Sequence, residues 1–272
     1  MIKNLLYLPE NLKENGLEGI TIGTDYGLGK NEISNLIVKS GEYINYVRFD
    51  ISAALSKEDI KERIQLYRDS QINTFFCGTL FEAYHLRNSL EFYINVLKEY
   101  GIKCVEVSDS LIKIPHDEKI DIIQKLSKDF IVFSKVGSRL NNSSISIGEY
   151  ADMINSELNA GALKIVIEGG GQGTSGLYDK YGEVQEDLIH EISKIAVGNL
   201  IFEAKKSSQQ SSLINRFGPG VNLANISLDK VLELEKKRLG LSELTFFNNI
   251  PGELKSKFSK KINPWYGIDF QI

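Results

Sequence analysis

The sequence predicts an α/β protein: a single (β/α)8 TIM barrel followed by a C-terminal extension. Three observations lead there. Short β-rich runs recur along the chain with helical patterns between them. Most of these runs are apolar on both faces, as in Phe130-Ile131-Val132-Phe133, which suits a parallel sheet covered by helices. Eight βα units at ~25–30 residues each need about 250 residues, and the chain has 272. A doubly wound sheet would leave about two of these units unused. The barrel is assigned to residues 1–241 and the extension to 242–272.

The expected strands, in order, are Ile20–Asp25, Ile44–Asp50, Thr74–Thr79, Cys104–Asp109, Ile131–Gly137, Leu163–Glu168, Leu200–Ala204 and Gly220–Ile226. Between the second and third, EDIKERIQLY (58–67) places Ile60, Ile64 and Tyr67 on one side of a helix. EFYINVLKEY (91–100) does the same with Ile94 and Leu97, and Gly101 stops it as a C-terminal cap. Pro115-His116-Asp117-Glu118 opens a further helix with acids in its first turn, where the helix dipole favours them. DKVLELEKKRL (229–239) is a charged amphipathic helix ending at Gly240. In the extension, Phe246, Phe247, Trp265, Tyr266 and Phe270 suit packing on the barrel or on a neighbouring subunit.

Bulk properties narrow the function. A formal net charge of −4 argues against nucleic acid or an anionic membrane as the main partner, while leaving room for an anionic small molecule met by local cations. No run approaches the ~20 apolar residues that cross a bilayer, and the N-terminus lacks a signal-peptide core. A cytoplasmic location is expected. Cys77 and Cys104 lie in apolar runs without ligand spacing, so they read as buried thiols.

In this fold the active site lies at the C-terminal ends of the strands. Those ends offer Asp25; Arg48 and Asp50; Gly78, Thr79 and Glu82; Glu106, Ser108 and Asp109; Lys135 and Arg139; Glu168; Glu203; and Asn222 and Asn225. Carboxylates converging on one place repel and raise one another's pKa values. A divalent cation would resolve that conflict, and oxygen ligands favour Mg2+; the expected metal set is Glu106, Asp109, Glu168 and Glu203. A network of ion pairs with Arg and Lys is the competing arrangement. Lys205, Lys206, Gln209 and Gln210 follow the seventh strand, where such barrels grip phosphate, and fit a phosphorylated or carboxylated small molecule. Asp25, Thr79, Ser108, Asn222 and Asn225 join them as expected substrate contacts. His85, His116 and His190 lie in helical segments, so Lys135 is the favoured acid–base group, a desolvated lysine being able to titrate near neutrality.

The motifs also resemble a family. GTLFE (78–82) and EVSD (106–109), FEA (202–204) with Gln209-Gln210, GPGVNLANI (218–226), DYGLG (25–29) and the LEKKRLGL ending (234–241) are similar, in order and spacing, to blocks of the phosphosulfolactate synthases. The resemblance covers about residues 5–241. It implies a (β/α)8 enzyme that adds sulfite to phosphoenolpyruvate with Mg2+ in the route to coenzyme M. Metal ions there hold the substrate carboxylate, the nucleophile attacks the methylene carbon, and C2 is then protonated.

The departures concern cations. Arg48 stands where the family has Lys, E-x-G-K-K becomes Lys135-Val136-Gly137-Ser138-Arg139, and E-x-R-E-S-G becomes Glu168-Gly169-Gly170-Gly171-Gln172-Gly173. Lys135, Arg48 and Arg139 are therefore the expected catalytic cations, and the glycines after Glu168 read as an emptied pocket wall. Three functions stay open on this reading: a relative acting on phosphoenolpyruvate or a similar acid with another nucleophile, a sulfite-adding synthase with a rearranged site, or a non-catalytic barrel kept for binding or assembly as an accessory or stress protein. A homo-oligomer is expected in each case.

Overall fold

The structure is a computed structural model describing residues 5–9, 19–55, 60–137, 146–195 and 197–258. Eight parallel strands form the barrel wall: β1 (Thr21–Asp25), β2 (Tyr46–Phe49), β3 (Asn73–Phe76), β4 (Cys104–Val107), β5 (Ile131–Val136), β6 (Lys164–Ile167), β7 (Leu200–Glu203) and β8 (Leu223–Ser227). They are hydrogen-bonded in the order β3-β2-β1-β8-β7-β6-β5-β4. β3 and β4, at the two ends of that order, lie against each other and nearly close the ring. The wall is buried on both faces, as the two-sided apolar runs require.

The outer layer comprises α1 (Lys30–Ser40), α2 (Ile51–Ala54), α3 (Ile60–Asp69), α4 (Gly78–His85), α5 (Leu90–Glu99), α6 (His116–Leu126), α7 (Ile147–Asn159), α8 (Glu186–Ile192), α9 (Ser207–Phe217) and α10 (Val231–Arg238). Local chemistry sets their ends. Pro115 precedes the first turn of α6, which carries Asp117 and Glu118. Ser146 and Glu149 form a reciprocal capping box at the start of α7. Gly101 adopts φ +63° after α5, a conformation open to glycine without strain.

Most strands are a residue or two shorter than expected, and two of the differences move expected site residues. β3 stops at Phe76, and Gly78 to His85 wind into α4, so Thr79 sits in a helix rather than on a strand. GTLFEA lacks the alternation that would hold it in the sheet, and Leu80 already bonds back to Cys77. β8 starts at Leu223, so Asn222 lies at its N-terminal end, the face opposite the strands' C-terminal mouth.

Inside the barrel, alternation along each strand stacks two layers. Tyr46, Phe75 and Phe133 form an aromatic lower layer, with Tyr46 and Phe133 edge-to-face at 5.1 Å between ring centroids. Two residues further along their strands come Arg48 and Lys135, so charge sits directly above an aromatic floor. Cys77 and Cys104 are free, buried thiols. Of the extension, Ser242–Phe258 is described: Asn215 of α9 donates to Leu244 O, Asn248 donates to Asn215, and α11 (Gly252–Phe258) follows. Trp265, Tyr266 and Phe270 lie outside the described residues. No described helix is long and apolar enough to cross a membrane.

Candidate active site

The upper layer of the barrel is a ring of buried charges. Glu203, at the end of β7, accepts on one oxygen from Arg48 Nη1 at 2.6 Å and from Lys135 Nζ at 3.0 Å. Glu106 of β4 faces the same two cations, at 3.3 Å from Arg48 and 3.1 Å from Lys135. Glu168, just past β6, stands 3.6 Å from Lys135. All five are buried. Backbone donors complete the carboxylates: Gly78 N binds Glu106, Gly169 N binds Glu203 and Gly170 N binds Glu168. Arg48 also reaches Thr24 Oγ1. Inward-facing strand positions from five different strands make this ring, so the barrel geometry itself assembles it.

Burial sets the electrostatics. Alone it would lower the pKa of Lys135, but Glu106, Glu203 and Glu168 outweigh it and raise the value. Arg48 likewise is held charged, burial being overcome by Glu106 and Glu203. Burial pushes the Glu106 carboxyl up, yet Lys135 and Arg48 prevail and lower it. The expectation of a lysine titrating near neutrality is therefore corrected: Lys135 meets three carboxylates and one guanidinium, so its environment favours the ammonium.

The four-carboxylate metal set is also revised. Among the described residues, no group of three or more His, Cys, Asp and Glu is arranged to hold a metal ion. The ammonium of Lys135 occupies the space between Glu106, Glu168 and Glu203, and Asp109 turns away to Lys119 at 2.9 Å. The ion-pair network expected as the competing arrangement is the one present, and these residues do not fit a protein-caged Mg2+.

A second chain of polar groups leads off the ring. Ser110 Oγ donates to Glu168 at 2.8 Å, and Ser108 Oγ lies 3.0 Å from Ser110 Oγ and donates to Glu82 at 2.5 Å. Glu82 also takes the backbone N–H groups of Ser110 and Leu111. Ser108, expected as a substrate contact, lies in this chain beside the ring and donates to Glu82. Ser110 was not expected as a site residue, and Glu82, offered after the third strand, was given no role there; it sits one turn into the helix that begins at the mouth.

The remaining expected contacts divide. Asp25 is fully buried and saturated by Gly27 N, Leu28 N, Arg63 and Tyr67, so it braces the β1 turn and is not available to substrate. Asn222 bonds Ile20 N, Gly198 O and Leu200 O at the far end of the barrel. Asn225 is buried in β8 at φ +61° and makes no side-chain hydrogen bond among the described residues. Gln209 ties down the loop after β6 through Gly173 O and Gly182 O, and Gln210 bridges Ala204 O and Lys237. Lys205 and Lys206 stay at the rim, donating to Gly171 O and Tyr181 O. Thr79 is half-buried at the start of α4. Arg139 lies outside the described residues.

Comparison with known proteins fits this barrel. A sequence model of the (2R)-phospho-3-sulfolactate synthase (ComA) family matches residues 10–243. The chain belongs to that family. It is 34% identical over 244 residues to the phosphosulfolactate synthase of Methanocaldococcus jannaschii, covering 87% of this chain and 97% of that one. It is 32% identical over 246 residues to the Bacillus subtilis phosphosulfolactate synthase, covering 89% and 98%. Among solved structures it is similar to the YdjI aldolase of Escherichia coli, with a TM-score of 0.53 at 8% identity over 82% of each chain. The 3-hexulose-6-phosphate synthase of Salmonella typhimurium gives a TM-score of 0.51 at 13% identity, covering 84% of this chain and 98% of that one. These two likenesses show the fold alone. Membership makes the chain one of a family of enzymes acting on a small molecule.

Proposed function

We propose that this phosphosulfolactate synthase family member adds sulfite to phosphoenolpyruvate at the mouth of its barrel. The observation that carries the reading is the pair of buried cations, Arg48 and Lys135, fixed at the strands' C-terminal ends by three carboxylates. Sulfite sulfur attacks C3 of phosphoenolpyruvate, and the C2–C3 π electrons move toward the substrate carboxylate. A preorganised cation stabilises the charge that develops there, without reorganisation at the moment of reaction. Arg48 is suited to that role because a guanidinium binds a carboxylate in a fixed fork and keeps its proton.

Lys135 supplies the proton that C2 requires. Its raised pKa does not forbid this, because a carbanion beside a carboxylate is far more basic than an amine. Solvent returns the proton afterwards, and the three carboxylates favour that return. Lys205 and Lys206, at the rim beside the first turn of α9, would meet the phosphate in this reading. Arg139 keeps its place in the proposal as a further candidate cation.

Magnesium, in this reading, arrives with the substrate's phosphate and carboxylate, since Mg2+ is commonly held by substrate oxygens with few protein ligands. No step above runs through it. The test of the function is direct. Protein, phosphoenolpyruvate and sulfite with Mg2+ should yield a product heavier by the elements of sulfurous acid in mass spectrometry. Absence of that product, with phosphoenolpyruvate still raising the melting temperature, would favour another nucleophile. Absence of both would favour a non-catalytic barrel.

A further inference from the structure

Behind β5, on the side away from the ring, lies a second charge cluster, built on two fully buried groups, that the reaction scheme does not use. Lys119 of α6 has no solvent exposure. Its Nζ stands 2.9 Å from Glu157 of α7, 2.9 Å from Asp109 after β4, and donates to the backbone carbonyl of Lys135 at 2.7 Å. Glu157, also fully buried, accepts from Ser134 Oγ at 2.6 Å. The cluster therefore grips two consecutive residues of β5, one of them Lys135.

The helix–sheet layer is ordinarily apolar, and well-packed hydrophobic side chains there are often as stable as a buried ion pair or more so. Stability alone is thus a poor explanation for this one. The ladder supplies a better explanation. Along a parallel strand, alternate residues bond to alternate neighbours. The carbonyls of Val132 and Val136 accept from Leu163 and Glu168 on the β6 side, so the carbonyl of Lys135 faces β4. The β4–β5 register ends at Val107 and Ser134, one residue short of it. Lys119 supplies the missing donor and, through Asp109, ties the loose end of β4 to the same point.

We propose that Lys119, with Glu157, is a positioning residue for the reaction: it replaces the last rung of the β4–β5 ladder and fixes the backbone from which Lys135 projects. Because Asp109 lies between Ser108 and Ser110, the same ammonium anchors the loop whose hydroxyls hold Glu82 and Glu168. This role rests on the sulfite-addition reading above.

The experiment is a steady-state comparison of wild type, Lys119→Arg, Lys119→Met and the double variant Lys119→Met/Glu157→Gln, well below each melting temperature. Removing Lys119 alone strands two carboxylates and can unfold the protein; the double variant removes one charge of each sign, leaves only the partly exposed Asp109 carboxylate and keeps the cluster's volume. With native circular dichroism, the double variant should lose on the order of tenfold to a hundredfold in kcat, as small misplacements of a catalytic group do. Its KM for phosphoenolpyruvate should stay within about twofold of wild type, since the rim that would meet phosphate is untouched. Lys119→Arg, which keeps a donor and a charge, should recover most of kcat. A purely structural cluster would lower the melting temperature and leave kcat of the folded fraction unchanged, and that result overturns the role. Wild-type protein inactive with sulfite and phosphoenolpyruvate overturns the functional reading and this role with it, whereas an active wild type matched by the double variant overturns the clamp alone.

Discussion

Replacing Lys135 with Met should reverse the sign of the protein's pH-dependent stability. In the native ring three carboxylates meet two cations; without Lys135 they meet Arg48 only. At an effective dielectric constant near 20, an ammonium 3.0 Å from a carboxylate, as Lys135 is from Glu203, attracts it by about 5 kcal/mol before desolvation is subtracted. Breaking such a buried group by removing one partner leaves a net loss of about 3–5 kcal/mol, or on the order of 10 °C in Tm for a chain of this size. The pH dependence carries the sharper test. In wild type the depressed Glu106 pKa contributes stability that is present above the unfolded carboxylate value of about 4.3 and is lost as pH falls through the folded one. In the variant, burial goes largely unopposed, so the folded carboxylates rise above that value and bind a proton that the unfolded chain does not. Stability then increases as pH falls from 7 toward 5, by up to about 1.4 kcal/mol per pH unit for each extra proton bound. Urea denaturation from about pH 3 to pH 8 measures both slopes, the wild-type one below the unfolded carboxylate value and the variant's between pH 7 and 5. A variant whose stability is flat or declines from pH 7 toward pH 5 would refute the reasoning that Lys135 neutralises the ring.

Glu203→Gln removes the charge shared by Arg48 and Lys135 on one oxygen; kcat should fall on the order of a hundredfold, and an unchanged kcat in a coupled assay would remove Glu203 from the site. Asn222→Ala should cost about 1–3 kcal/mol through groups left unpaired at the base of the barrel, with KM for phosphoenolpyruvate unaltered; a raised KM would return Asn222 to the substrate site. Chelation with EDTA should abolish turnover, with recovery on adding Mg2+, yet leave the Tm of ligand-free protein where it was. A chelator-induced fall in that Tm would show a metal held by the protein itself.

The barrel was legible because its signal is periodic and redundant: eight two-sided apolar runs at regular spacing leave little else to build. The ring was legible for the same reason, since Arg48, Glu106, Lys135, Glu168 and Glu203 all sit where barrel strands end. What decided their roles was not in the spacing. Whether converging carboxylates hold a metal or an ammonium depends on the length and direction of Lys135, a residue read as the favoured acid–base group. Asp25, Gln209 and Gln210 carried the right chemistry for ligands but are consumed by backbone groups near in space and not always near in sequence. Asn222 was misplaced because an apolar run does not reveal where its ladder begins.

The glycine-rich stretch IEGGGQGTSG (167–176) shows how such a misreading arises. As an emptied wall it should border open space, and only Gly171 does; a Cβ there would meet nothing within 4 Å. Elsewhere the loop folds back on the ring. Gly170, at φ +72°, would collide with Ser175, and Gly176, at φ +62°, with the backbone carbonyl of Glu168. Leu177 N bonds that same carbonyl, and Tyr178 Oη donates to Glu203 O. The glycines thus let backbone pack against the two carboxylates from β6 and β7 and supply them with N–H donors. Side chains at Gly170 and Gly176 would push the loop off Glu168 before they could reach a substrate. Where the family pattern has an arginine, this loop offers the carboxylates backbone N–H groups, from Gly169 to Glu203 and from Gly170 to Glu168.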